Sequence, residues 1–358
     1  MKQIGITTII GDNYGSVLQN YALQTAIRQC GAASHLISTR PRSYLLKMYR
    51  DYFGSKGKLT HRFKFHKLQS DLKNHVKRKK VKIFYNSNVN IRKYRSLFKA
   101  AQGEKDTDIL ICGSDQIWNP AFQPNSLYYL TFCSGKPKYS YAASIAVDAI
   151  SEKAKDYFTT ALSSFSGISV REETGYHLLY DLVPNEILRV DCDPVLLLQN
   201  DHWESIKNDR YKGKRFIFLY MLRPSKELLE FAQKTAIQKG CELIFIGDYY
   251  FGNRTLHQTT DAGVEDFLSA IYYADYVITN SFHCTVFSTL FEKQFSSQVI
   301  ERTGSRVRDY LNALGLQNRV IHQTKIIPSE VIDYSIVRKK IIDMSRKSRL
   351  YLESIINK

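Results

Sequence analysis

The stretch YVITNSFHCTVFSTLF (276–291) sets a histidine where an apolar run gives way to a sequence of helical length. Val277-Ile278-Thr279 reads as a buried strand, Ser281 as the start of a helix and His283 as an imidazole in its first turn, with Asn280 and Phe282 alongside. Free amides at a helix start attract an anion, and an imidazole beside them can hold a phosphate and deliver a proton near neutral pH. Packing or capping is the alternative use of His283. Three other strand ends carry polar groups. In ISVREETG (168–175), Arg171 follows a buried strand directly, and a guanidinium there needs a partner. A bound phosphate or carboxylate would serve, and so would Glu172 or Glu173. CGSDQIWNP (112–120) closes an apolar strand with Ser114, Asp115 and Gln116; Asp115 is either a general base or a turn cap. GDNYGSVLQN (11–20) offers Gly11 and Gly15 for a tight turn and Asp12, Asn13 and Ser16 as helix caps, while Asn13, Gln19 and Asn20 suit a sugar. Its spacing is not G-x-G-x-x-G, so a dinucleotide fingerprint is absent.

Positioning these groups requires strands that alternate with helices. KQIGITTII, SHLIS, TDILICGSD, KYSYAASIA and GISV read as strands in the first half, with helices at 15–31 and 153–165. After a polar boundary at 199–214 the rhythm restarts: RFIFLYML and CELIFIG are strands, and SKELLEFAQKTAIQKG and VEDFLSAIYYA are helices. A basic helix spans 334–356. The fold class expected is α/β, two Rossmann-like lobes with parallel sheets around a central cleft: residues 1–205, then 206–330, then a C-terminal helix at 331–358 packing back on the first lobe. The strand-end groups would then face one cleft and suit a phosphate-bearing donor.

Length and charge narrow the partners. The chain has 358 residues, enough for about two domains. Its net charge is +17, and residues 40–99 alone hold 19 Lys and Arg against two acids, leaving the remainder neutral. Aromatics run through that segment: Tyr44, Tyr49, Tyr52, Phe53, Phe63, Phe65, Phe84, Tyr85, Tyr94 and Phe98. It reads as a mostly helical insertion suited to an anionic membrane surface, or else as a solvated face; nucleic acid is not the partner expected. The six cysteines include no C-x-x-C pair and read as reduced thiols, so no metal site is expected. The N-terminus runs straight into a strand without a signal-peptide pattern, and the expected location is the cytoplasm, peripheral at the inner membrane face.

GDNYGSVLQNYALQ, GSDQIWNP, YSYAASIA, ISVREETG, DPVLLL and VITNSFHCTVFSTLF occur in the order found in polysaccharide pyruvyl transferases, and between about residues 5 and 315 the chain resembles that family. The resemblance implies a fold similar to GT-B glycosyltransferases, with the acceptor on the first lobe and the donor on the second. It implies transfer of pyruvate from phosphoenolpyruvate to two hydroxyls of a sugar, a hexose such as galactose in a lipid-linked repeat unit, with no cofactor beyond that co-substrate. His283 matches the histidine of the family's Arg-Leu-His donor motif, whose other two positions are Ser281 and Phe282 here. Arg171 matches a donor-holding arginine. The missing motif arginine needs a replacement, for which Arg306 is the candidate, with Arg308 and Arg223 in reserve. On this reading His283 is the acid and Asp115 the base, with Asn280 beside the donor; Asn13, Tyr14, Gly15, Gln19, Asn20, Ser114 and Gln116 face the acceptor. Two other functions stay open: a nucleotide-sugar glycosyltransferase with Glu265 on the ribose, and a non-catalytic glycan- or phosphate-binding relative.

Overall fold

A computed structural model describes residues 1–39, 61–122, 125–247, 257–301, 303–321, 328 and 330–358, with the backbone alone for 61–73 and 257. The first lobe is built on β1 (Gln3–Thr7), β2 (Ala33–Thr39), β3 (Ile91–Tyr94), β4 (Ile109–Cys112) and β5 (Lys138–Ser140), parallel in the order β3-β2-β1-β4-β5. A parallel pair, β6 (Ile168–Val170) and β7 (Leu188–Val190), extends it through single bridges Tyr139–Gly167 and Ala143–Val170. The second lobe repeats the plan with β8 (Phe216–Tyr220), β9 (Glu242–Ile246), β10 (His257–Thr259), β11 (Tyr276–Thr279) and β12 (Phe295–Ser297), parallel in the order β10-β9-β8-β11-β12. Unbroken apolar runs such as ILIC in β4 and FIFLY in β8 are buried throughout, as strands covered by helices on both faces must be.

In each sheet the strand order reverses beside the first strand, between β1 and β4 and between β8 and β11. Connections leave for opposite faces at such a point and open a crevice beyond the strand ends. The turns after these four strands therefore converge: the helix Tyr14–Gln29 after β1, Gly113–Asp115 after β4, 221–223 after β8, and the helix Phe282–Leu290 after β11.

The lobes meet over one apolar core, to which Ile4, Leu18 and Ala22 contribute from the first, Phe218, Phe267 and Phe287 from the second, and Leu352 and Ile355 from the C-terminal helix. Tyr14 crosses the boundary: its ring stacks on Phe267 at 4.8 Å and its hydroxyl donates to the Ala262 carbonyl at 2.7 Å. The C-terminal helix, Tyr334–Asn357, starts on the second lobe, where Lys340 donates to the Leu314 carbonyl at 2.9 Å, and ends on the first, where Tyr351 donates to the Ser140 carbonyl at 3.2 Å and Ser348 Oγ accepts from the Cys192 amide at 2.9 Å. None of the described helices is long and apolar enough to cross a membrane.

The basic segment is not one insertion. Residues 40–60, with Tyr44, Tyr49, Tyr52 and Phe53, lie outside the described residues, and the side chains of Phe63 and Phe65 do as well. Residues 91–94 are the edge strand β3, in register with Leu36–Thr39. The helix His61–Asn88 buries Val81, Phe84 and Tyr85 in the common core, so these aromatics turn inward rather than toward a membrane. Lys80 reaches Asp266 of the second lobe at 2.9 Å, and Arg92 pairs with Asp106 at 2.7 Å. Of the segment's aromatics whose side chains are described, Phe98 is the exposed one.

Candidate active site

The turn after β11 is tied down before it reaches His283. Thr279 Oγ1 donates to the Tyr220 carbonyl at 2.7 Å and accepts from the Ser281 amide at 3.0 Å. Ser281 Oγ accepts from the Cys284 amide at 3.4 Å and caps the helix. Asn280 uses both ends of its amide on the loop after β8, accepting from the Leu222 amide and donating to the Arg223 carbonyl, each at 2.8 Å. Phe282 and His283 are thereby fixed in a buried first turn that meets the start of the Tyr14–Gln29 helix. Gly15 is required at that meeting: a Cβ there would sit 2.2 Å from His283 Nδ1.

Both guanidiniums lie against the Phe282 ring, Arg171 Cζ 4.5 Å and Arg306 Cζ 5.6 Å from its centroid. The His283 ring meets it edge-on at 5.3 Å. Arg171 Nη1 donates to Asp193 Oδ2 at 2.6 Å and to Ser114 Oγ at 3.4 Å, and Nη2 lies 3.8 Å from Asp115 Oδ1. His283 Nε2 lies 3.3 Å from the same Asp193 oxygen, without making a hydrogen bond to it. With the Gln116 amide oriented as its surroundings require, its oxygen accepts from Arg306 Nη1 at 3.1 Å and Nη2 at 2.6 Å. Ser16 Oγ donates to Asp115 Oδ2 at 2.5 Å, and the Gln116 backbone N–H donates to Oδ1 at 2.9 Å.

Several buried polar atoms here have no hydrogen-bond partner among the described residues: Arg171 Nε and Nη2, Arg306 Nε, His283 Nε2 and Glu172 Oε2. Buried, unpaired guanidinium donors are unfavourable, and an anionic ligand relieves the penalty. Charge sharing is visible in the carboxyls. Burial opposes ionisation of Asp193, but His283 and Arg171 outweigh it and hold the carboxyl far below its usual range. Asp115 is lowered too, with Arg171, His283, Arg306 and the Ser16 bond overcoming burial. For Glu172 burial wins and the pKa rises, despite Arg171 and the amide of Ala146. Arg306 falls to about 10, first from burial and then from the charge of Arg171.

Arg171, His283, Asp115, Ser114, Gln116, Ser281, Phe282 and Arg306 thus come together. The others do not reach the cluster with free groups. Gln19 and Asn20 are buried and donate inside the first lobe, Gln19 to Thr8 Oγ1 at 3.2 Å and Asn20 to the Ile9 carbonyl at 3.0 Å, so their NH2 groups hold a loop, while Gln19 Oε1 has no hydrogen-bond partner among the described residues. Asn13 accepts from the Gly15 amide at 2.9 Å as a helix cap. The Arg223 side chain is exposed, and Arg308 pairs across the lobes with Asp148. Neither Glu172 nor Glu173 is the main partner of Arg171. Glu172 Oε1 accepts from the Ile145 and Ala146 amides, each at 2.8 Å, and from Ser144 Oγ at 3.0 Å; its Oε2 is 4.0 Å from Arg171 Nε. That partner is Asp193, a site residue not singled out from sequence, although DPVLLL carries a signal: an aspartate followed by Pro at a helix start. Beside the cluster, a cavity of about 150 Å³ opens between Asp12, Asn13, Tyr14 and Lys77 on one wall and Tyr220, Leu222 and Thr260 on the other.

A family model described as polysaccharide pyruvyl transferase matches residues 13–296. No curated protein matches the chain. Among solved structures, the chain is similar to a Listeria monocytogenes protein described as a UDP-N-acetylglucosamine 2-epimerase, at 12% identity and a TM-score of 0.53, over 99% of this chain and 91% of that one. The S. aureus MnaA–UDP structure gives 12% identity and a TM-score of 0.53, over 99% and 90%. At such identity the likeness concerns the two-lobed fold.

Proposed function

From the premise that this chain belongs to the polysaccharide pyruvyl transferase family, we propose that it moves pyruvate from phosphoenolpyruvate onto two hydroxyls of one sugar, closing a cyclic ketal and releasing phosphate. The observation that carries the reading is the meeting of Arg171 from the first lobe with His283 and Arg306 from the second, around Phe282, with guanidinium donors left unpaired. Phosphoenolpyruvate bears a phosphate and a carboxylate, and two guanidiniums match two anionic groups. Arg306 supplies the cation that Ser281 lacks.

In this mechanism His283 protonates the methylene carbon, so that C2 becomes electron-poor. One sugar hydroxyl bonds to C2 and loses its proton, the C2–O bond to phosphate breaks, and the second hydroxyl closes the ring. The two hydroxyl protons balance the one gained by carbon and the one carried off by phosphate. Asp115 accepts a hydroxyl proton. Its lowered pKa makes it a weak base, which suffices because a hydroxyl bonding to an electron-poor carbon becomes acidic. Arg171 and Arg306 hold the charge that grows on the departing phosphate. The acceptor, a lipid-linked sugar such as a galactoside, enters by the cavity at Asn13 and Tyr14. Cationic side chains of the segment 40–99 hold the enzyme at the anionic membrane face where such lipids lie.

The test is incubation with phosphoenolpyruvate and a lipid-linked sugar, reading phosphate release and the mass gain of the sugar. Both should occur together, and His283→Ala should abolish both while the melting temperature holds. Phosphate release without a heavier sugar, or a His283→Ala enzyme of normal rate, contradicts the reading.

A further inference from the structure

We propose that Asp193 is an internal anion that competes with the donor's phosphate for Arg171 and returns to it as the phosphate product leaves. The inference rests on the pyruvyl-transfer reading for the identity of that product; the competition itself rests on geometry.

Asp193 is not free to follow a ligand. Its Oδ1 accepts from the Val195 amide at 3.1 Å and its carbonyl accepts from the Leu196 amide at 2.9 Å, capping the buried turn Pro194–Leu197. The other oxygen, Oδ2, lies 2.6 Å from Arg171 Nη1 and 3.3 Å from His283 Nε2, two groups a phosphate would use. Its side chain is 1% exposed, so water does not screen it. Arg171 Nε and Nη2 make no hydrogen bond beside this carboxylate, so an incoming anion can bind the same guanidinium while facing a fixed negative charge across it.

That arrangement treats donor and product differently. The donor carries two anionic groups and can engage both guanidiniums. After transfer the carboxylate departs with the ketal, and phosphate alone remains on the guanidiniums, of which Asp193 already serves Arg171. A site made only of two guanidiniums and an imidazole would retain a dianion; the fixed carboxylate weakens its hold.

Asp193→Asn separates the charge from the cap, because Asn keeps the side-chain oxygen that accepts from Val195. Calorimetric titration of the full chain with inorganic phosphate should show the variant binding about tenfold tighter than the wild type, as expected when one charge is removed beside a dianion at low effective dielectric. Turnover should fall and inhibition by added phosphate should strengthen in step. A variant that melts like the wild type yet binds phosphate equally or more weakly overturns the proposal, as does absence of phosphate binding by both proteins. Asp193→Ser, which also caps without a charge, must tighten phosphate in the same way and decides the matter if the Asn variant does not fold. Failure of the pyruvyl-transfer reading looks different: phosphate would still bind and respond to the substitution, while phosphoenolpyruvate gave no product.

Discussion

Gly15→Ala adds one carbon at the point where the lobes touch. The added Cβ would lie 2.2 Å from His283 Nδ1, 2.4 Å from Cγ and 2.8 Å from Cβ. Real Cβ contacts lie beyond 3.0 Å, so the imidazole must retreat by about 1 Å. Its room for retreat is small, because the helix behind it is buried along its whole length and Asp193 holds the far side of the ring. Overpacking of this kind costs roughly 1–3 kcal/mol. Alanine returns about 0.5–1 kcal/mol as the better helix former at this helical position, so the net loss of stability should be at most about 2.5 kcal/mol. The rate should suffer far more, since a misplacement of about 1 Å in a catalytic group can lower turnover ~100-fold. Phosphate release from phosphoenolpyruvate with an acceptor, measured beside a thermal melt, separates the two effects. A folded Gly15→Ala enzyme that turns over within a factor of about three of the wild type would refute the assignment of His283 to the chemistry and leave Gly15 as a packing residue.

Arg306→Met should raise the KM for phosphoenolpyruvate by about 10–100-fold, the worth of a charge-assisted hydrogen bond of roughly 1.5–3 kcal/mol, and Ser281→Arg added to that variant should recover part of the loss; steady-state kinetics check both. Glu104→Gln should lower stability by about 3 kcal/mol in urea titrations at neutral pH, because Glu104 is fully buried, 2.7 Å from His35 Nε2 and 2.6 Å from the Tyr94 hydroxyl that donates to it. Burial works against the Glu104 carboxylate, but the bonds from His35, Thr107 and Tyr94 prevail and lower its pKa. Its contribution is therefore present above the ordinary carboxyl value near pH 4 and is lost as pH falls through the lower folded value, so the gap between wild type and variant should close in acid.

Much of this site could be read from strand ends alone. Arg171, Asp115 and His283 each follow an apolar run that a parallel sheet buries, and polar residues immediately past such runs face the crevice. Arg306 was reachable by charge reasoning: a donor with two anionic groups needs two cations, and Ser281 removes one. Other features depend on contacts between distant residues. Gly15 reads locally as turn or sugar loop, but its role is set by an imidazole of the other lobe. Gln19 and Asn20 look like ligand-binding amides, yet the loop after β1 needs their hydrogen bonds for itself. Strand β3 was hidden because its sequence, IRKY, is half charged; an edge strand pairs on one side and leaves Lys93 exposed to solvent. Asp193 was obscured for a related reason. Its carboxylate looks like an ordinary cap until the fold brings Arg171 and His283 to its other oxygen.

A crystal structure of the protein grown with phosphoenolpyruvate tests the central claim most directly. The donor should lie over Phe282, with its phosphate and carboxylate accepting from Arg171 Nε and Nη2 and from Arg306, and with its methylene carbon against His283. Donor density confined to the cavity at Tyr14 and Lys77, with Arg171 still bound to Asp193 and Ser114 and to no donor oxygen, would contradict it.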